Sequence, residues 1–245
     1  MTSDVEVAAR AARAAAAVLL ELRSGNLSGR ALGDAGDAAA QEAILAVLTG
    51  ERPDDVVFSE EAVDDRRRLT ADRVWIVDPL DGTREYGEPG RPDWAVHVAL
   101  WSAGELGAAA VALPAVGEVL VTDPAPAAPP AAAGRPRIAV SRTRPPAVAE
   151  AVAAALDGDL VPLGSAGYKT LAVARGEADA YVHAGGMYQW DSAAPVAVAR
   201  AAGLTTCRLD GSPLVYNDRE PSLPDLVVCR PELADRILAA IAGGA

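Results

Sequence analysis

Over residues 4–23 the apolar side chains Val5, Ala8, Ala12, Ala15, Val18, Leu19 and Leu22 recur at helical spacing, which predicts a packing helix. The polar, glycine-rich residues 24–36 break that rhythm and are expected to form a loop, placed to act as a flap over a site. Asp37 is expected to cap the next helix, whose Ile44, Leu45 and Leu48 share one face before Gly50 ends it. The apolar period then shortens. Residues 56–58 and 74–77 are unbroken apolar runs of strand length, and Pro79, lacking an N–H, is expected to end the second. Residues 93–101, 107–113 and 117–122 read as successive strands of an antiparallel sheet. His97 alternates with apolar neighbours and is read there as a satisfied sheet histidine.

A Pro/Ala-rich connector at 123–134 has no periodicity and marks the best boundary, dividing the chain into halves 1–134 and 135–245. Beyond it, strands are expected at 137–141, 160–163, 178–182, 205–209 and 225–229. Helices are expected after Pro145 and Pro146, around Lys169, over 192–202 behind a glycine-rich turn, and from Pro231. The order β-α-β-α-β-α-β-β-α points to a sheet flanked by helices. The fold class is therefore α/β.

Composition narrows the functions available. The 245 residues are 51% apolar, yet no run approaches the length of a membrane span. The first residues do not read as a signal peptide, because acidic residues and Arg13 interrupt the apolar stretch. Two cysteines, Cys207 and Cys229, lack metal-like spacing and suit a reducing cytoplasm as small buried hydrophobes. A net charge of −12 argues against nucleic-acid binding, which relies on basic surface. An acidic chain that handles an anion must supply positive charge locally, through metal ions or a few placed cations. Of the 22 basic residues only Lys169 is a lysine, so its position is notable.

The chemistry concentrates in Asp78-Pro79-Leu80-Asp81-Gly82-Thr83. Two carboxylates flank a tight bend at a strand exit, and Gly82 and Thr83 then offer backbone N–H groups where a helix begins. Such a bend binds a hard cation through oxygen while the amides hold a phosphate oxygen. Glu60 and Glu61 leave the end of an earlier strand, and Asp191 opens a later helix. Asp64 and Asp65 are read as solvated surface.

Together, the Glu60-Glu61 pair, D-P-L-D-G-T at 78–83 and Trp190-Asp191 resemble the inositol monophosphatase superfamily in content and order. The segments S-R-T-R (141–144), G-S-A-G-Y-K (164–169) and W-D-S-A-A-P (190–195) are most similar to its CysQ-type 3′(2′),5′-bisphosphate nucleotidase branch. The resemblance spans nearly the whole chain and implies an α+β layered sandwich, with alternating helix and sheet layers. It implies Mg²⁺, two or three ions per site, held by Glu60, Asp78, the Leu80 carbonyl, Asp81 and Asp191. It further implies that Asp37 and Thr83 orient and deprotonate the attacking water, and that Glu61 assists a further water of the metal site. The Gly82 and Thr83 amides would hold the phosphate, and Ser141, Arg142, Ser165 and Lys169 would face the second phosphate and ribose. The implied activity is removal of the 3′-phosphate from 3′-phosphoadenosine 5′-phosphate to give AMP, clearing a by-product of sulfate assimilation. Lithium sensitivity and a homodimer come with the same resemblance, and the cysteine usage adds the expectation of a cytoplasmic location. The rivals are inositol monophosphatase or fructose-1,6-bisphosphatase activity at the same site and, from another class, a noncatalytic metal or nucleotide sensor. Three departures stand out: Ser59 where glycine is usual, L-G-D-A-G-D (32–37) in place of P-V-T-x-x-D, and Tyr181-Val-His-Ala184 without the usual Arg.

Overall fold

A computed structural model describes residues 2–129 and 134–243. The first half of the chain forms α1 (Asp4–Arg23), α2 (Gly29–Glu51), β1 (Val56–Ser59), β2 (Arg73–Asp81), α3 (Thr83–Gly87), β3 (Ala95–Ser102), β4 (Glu105–Leu113) and β5 (Glu118–Val121). The second forms β6 (Arg137–Ser141), α4 (Ala147–Leu156), β7 (Asp159–Leu163), α5 (Ala166–Ala174), β8 (Ala180–Tyr188), α6 (Gln189–Ala201), β9 (Thr205–Cys207), β10 (Ser222–Cys229) and α7 (Ala234–Gly243). The strands make two five-stranded sheets, ordered β1-β2-β3-β4-β5 and β7-β6-β8-β10-β9. In the first, β1 runs parallel to β2 and the remaining pairs are antiparallel. In the second, β6 is parallel to both neighbours, while β10 is antiparallel to β8 and β9.

Alternation along the strands decides the layering. On β2, Trp75 and Val77 face α1 and α2, whereas Val74 and Ile76 face the opposite side, packed with residues of α5 and α6. The second sheet presents Tyr181, Leu226 and Val228 to that shared middle layer, and Val182, Val227 and Cys229 to α4 and α7. The layers therefore run helix, sheet, helix, sheet, helix. Both cysteines are free and buried, as expected. A central strand flanked on both faces reads as a continuous apolar run, which is why residues 74–77 show no polar alternation.

Several expectations are corrected. The loop expected at 24–36 is confined to 24–28, because α2 starts at Gly29. Asp37 is consequently inside α2 and is not its cap. Two of the glycines that suggested a loop are packing positions: a Cβ on Gly33 would stand 2.6 Å from Thr83 Cγ2, and one on Gly36 would stand 2.7 Å from Tyr86 Cε1. Pro79 does not end β2. The ladder to β3 slips at a bulge between Asp78 and Asp81, then resumes at Asp81 opposite Ala95. The glycine-rich turn expected before Trp190 belongs to β8, which runs on through Gly185 and Gly186 to Tyr188. Asp64 and Asp65 are exposed, as expected, and Asp64 also accepts bonds from Arg68, a buried side chain that donates to Asn217 and to the Asp218 carbonyl. Residues 123–129 carry no regular structure, and 130–133 of the expected connector lie outside the described residues. No helix among the described residues is long and apolar enough to cross a membrane.

Candidate active site

The bend at the end of β2 organises the site. Asp78 is 1% exposed. One of its oxygens accepts the Leu80 N–H at 3.0 Å, and the other, Oδ2, is buried with no partner. Thr83 donates its hydroxyl to the Leu80 carbonyl at 3.1 Å. Gly82 stands between them at φ 90°, where a side chain would be strained. Its Cα also lies close to Ser165, since an added Cβ would come within 3.1 Å of the Ser165 Cβ. The short helix α3 is anchored from behind, because Arg23 donates to the Glu88 carbonyl at 2.7 Å and Tyr86 donates to the Leu19 carbonyl at 2.8 Å.

Helix α2 brings its own polar group to this bend. Gly33, Asp37 and Gln41 are spaced four apart and share a face. Gly33 packs on Thr83, which sets Asp37 one turn along the same face. Burial, then the charges of Glu61, Glu60 and Asp34, push the Asp37 carboxyl up to about 7. Gln41 accepts the Ser59 hydroxyl at 2.8 Å in a buried bond and so fixes the residue just before Glu60. The Glu60 N–H in turn donates to the Val77 carbonyl at 3.3 Å, tying the acidic pair to the strand that carries Asp78. Gln41 escaped the sequence reading because a lone glutamine on a helix carries no motif.

The middle layer supplies the remaining groups. Asp81 Oδ2 accepts the Gly167 N–H at 2.6 Å and the Ser165 hydroxyl, at the start of α5. Ser165 holds this aim at φ 47°, a left-handed conformation that costs a non-glycine residue on the order of 1–3 kcal/mol. Asp191, in the first turn of α6, accepts the Tyr188 N–H at 2.7 Å. His97 lies beneath these acids. It is fully buried, with Nδ1 3.1 Å from the Trp190 carbonyl and Nε2 3.4 Å from Asp81 Oδ2. The sheet-histidine reading thus describes only one side of the ring, since Nε2 has no hydrogen-bond partner.

These acids perturb one another. Burial, then the charges of Asp81, Glu60 and Asp191, raise the Asp78 carboxyl well above the usual range. Burial, then Asp81, pushes Asp191 up to about 8. Loss of surrounding water, then Asp81 and Glu61, raises Glu60. Among the described residues no three His, Cys, Asp or Glu side chains stand in ligand geometry about one point. What the acids share is an electrostatic neighbourhood, with the partnerless oxygen of Asp78 inside it. An oxygen-only donor set with excess negative charge and an orphaned buried carboxylate oxygen fits a hard divalent cation.

A cavity of about 730 Å³ opens beside Asp81 and Asp191. Ser141, Arg142, Ser165 and Lys169 line it, as do Arg84 and Arg144. The cations differ in availability. Arg142 donates to Glu85 at 2.7 Å and to Glu88 at 3.0 Å, so it braces α3 against the end of β6. Lys169 is 5% exposed and donates to the carbonyls of Gly164 and Ser165, with its ammonium 5.1 Å from the centre of the Tyr181 ring. Burial pushes Lys169 down to about 8.

The profile of the inositol monophosphatase family matches residues 1–124 and 132–243. The 3′-phosphoadenosine 5′-phosphate phosphatase of Mycobacterium tuberculosis is 55% identical over 219 residues, covering 86% of this chain and 82% of that protein. The enzyme of the same name from Mycobacterium leprae is 49% identical over 253 aligned residues, covering 98% and 93%. Among solved structures, CysQ from Bacteroides thetaiotaomicron superposes with a TM-score of 0.77 at 28% identity, covering 93% of this chain and 97% of that one. An inositol monophosphatase from Zymomonas mobilis superposes with a TM-score of 0.80 at 23% identity, covering 98% and 97%, a likeness of fold.

Proposed function

The chain belongs to the inositol monophosphatase family, and from that premise we propose that it removes the 3′-phosphate of 3′-phosphoadenosine 5′-phosphate, releasing AMP and orthophosphate. It is a metal-dependent phosphatase, and Mg²⁺, two or three ions per site, is the cation we assign. The observation that carries this reading is the cavity. Its acidic end is built from both halves of the chain, Asp81 and Asp191, and its wall carries Arg84, Arg142, Arg144 and Lys169. A substrate bearing two phosphates needs both features. One phosphate must sit by the acids and their cations, and the other must meet positive charge elsewhere.

Glu60, Asp78, the Leu80 carbonyl, Asp81 and Asp191 would hold the cations. When bound, they would relieve the charge repulsion between phosphate and incoming water and stabilise the departing oxygen. The protein's own groups do the rest. Asp37, one helical turn along α2 from the glycine that packs on Thr83, accepts the proton of the attacking water, and Thr83 orients it. Glu61 assists a further water. The Gly82 and Thr83 amides receive the phosphate oxygens at the turn into α3. The water oxygen bonds to phosphorus as the bond to the ribose 3′ oxygen breaks; that oxygen takes a proton from the further water, and Asp37 returns its proton to solvent, so one water is consumed in all. Ser141 offers its hydroxyl and Lys169 its charge to the ribose and the second phosphate. Arg142, already paired with Glu85 and Glu88, offers its remaining N–H groups, and Ser165, whose hydroxyl donates to Asp81, presents the cavity wall beside them.

Initial rates with Mg²⁺ on 3′-phosphoadenosine 5′-phosphate, inositol 1-phosphate and fructose 1,6-bisphosphate at one low concentration test the assignment. The bisphosphate nucleotide is expected to be hydrolysed fastest. Faster hydrolysis of either alternative would refute the substrate assignment.

A further inference from the structure

One buried side chain touches acids from the first half and the backbone that presents the acid of the second. We propose that His97 is a positioning residue for the divalent cations, acting through the Trp190 carbonyl to set Asp191 against Asp78 and Asp81. This inference rests on the metal-site reading above. His97 lies on β3 directly opposite Asp78 in the sheet register. Its Nδ1 is 3.1 Å from the Trp190 carbonyl, an oxygen that can only accept, so the proton is on Nδ1. Trp190 immediately precedes Asp191 in the first turn of α6. The same ring lies 3.8 Å from Asp78 Oδ2 through Nδ1 and 3.4 Å from Asp81 Oδ2 through Nε2.

The ring has no freedom to drift. It is fully buried, and the first turn of α5 is pressed against it so closely that a Cβ on Gly167 would stand 1.9 Å from Nε2. The N–H of that same Gly167 donates to Asp81. His97 is therefore boxed by β3, α5 and α6, the three elements that meet at the acids. Asp191 lies on a helix of the middle layer and Asp78 on a strand of the first sheet, so their separation depends on how α6 seats on that sheet. The bond from His97 to Trp190 fixes that seating at the residue next to the acid. Outer-shell groups of this kind typically change metal affinity by about 10–100-fold when removed.

Isosteres separate the two sides of the ring. An asparagine amide nitrogen occupies the place of Nδ1, and a glutamine amide reaches the place of Nε2 instead. Mg²⁺ is titrated by calorimetry into metal-free wild type, His97→Asn, His97→Gln and His97→Leu, with Tm recorded for each with and without Mg²⁺. The expected result is Asn within about threefold of wild type, while Gln and Leu bind at least about tenfold more weakly and gain less Tm from Mg²⁺. A KM for substrate unchanged at saturating Mg²⁺ is expected in all variants that fold. Should Leu fail to fold, the Asn and Gln pair decides the matter. Asn as weak as Gln, or both equal to wild type, overturns the proposal. A wild type that takes up no Mg²⁺ overturns the metal-site reading, and this inference with it.

Discussion

At the scale of single residues, the sequence singles out candidate side chains, and the structure supplies what each one touches. D-P-L-D-G-T is readable as a candidate site because carboxylates at a strand exit and amides at a helix start are local properties. The partners of Arg142 and Lys169 were not legible. Glu85 and Glu88 neutralise Arg142 from 57 and 54 positions away in the chain, a pairing that only the packed halves create. Lys169 likewise meets the Tyr181 ring across the middle layer. Lys169→Ala is expected to raise KM for the nucleotide bisphosphate by about tenfold, with a smaller effect on a monophosphate, since a hydrogen bond to a charged group contributes roughly 1.5–3 kcal/mol. Equal rises for the two substrates would remove Lys169 from second-phosphate recognition. Thr83→Ala is expected to lower kcat by about a hundredfold while the calorimetric Mg²⁺ affinity holds. A large loss of Mg²⁺ binding would contradict its role with the attacking water.

Among the elements, α2 shows where sequence reasoning fails and why. Glycine-rich polar residues ordinarily signal a loop, because glycine costs helix stability of about 0.5–1 kcal/mol relative to alanine. Here Gly33 and Gly36 lie within the helix to let it approach Thr83, Tyr86 and Leu80. That approach is tertiary, and no local pattern encodes it. It also carries Asp37 to the bend, so the misplaced helix start and the misread cap have one cause. The same helix holds an internal control, since nothing lies within 4 Å of a Cβ added to Gly50. Gly36→Ala is expected to destabilise the fold by about 1–3 kcal/mol through overpacking, read as a lowered Tm. Gly50→Ala is expected to leave Tm unchanged or raise it, by helix propensity alone. A Gly36→Ala protein as stable as wild type would contradict the close-packing account of α2.

For the whole molecule, the alternating layers were legible as a class, because both-face-buried strands and amphipathic helices leave different periods in the sequence. The electrostatic neighbourhood shared by Glu60, Asp78, Asp81 and Asp191 depends on how α5 and α6 seat between the sheets, which no period records. That shared neighbourhood has a thermodynamic signature. Asp37 is raised to about 7 and Asp191 to about 8, against about 4 for unfolded aspartate, so between those values the folded state binds more protons than the unfolded one. Stability from these groups is complete below the unfolded value and is lost as pH rises through the folded ones. The Tm of metal-free protein should accordingly fall between about pH 5 and about pH 8, and saturating Mg²⁺ should flatten that fall. A metal-free Tm that rises over the same range would contradict the account. The most direct test of the joint site compares Mg²⁺ binding by calorimetry in wild type, Asp78→Asn and Asp191→Asn. One acid comes from each half of the chain, and each substitution is expected to weaken binding by at least about tenfold. Wild-type affinity in Asp191→Asn would contradict a cation site shared between the halves.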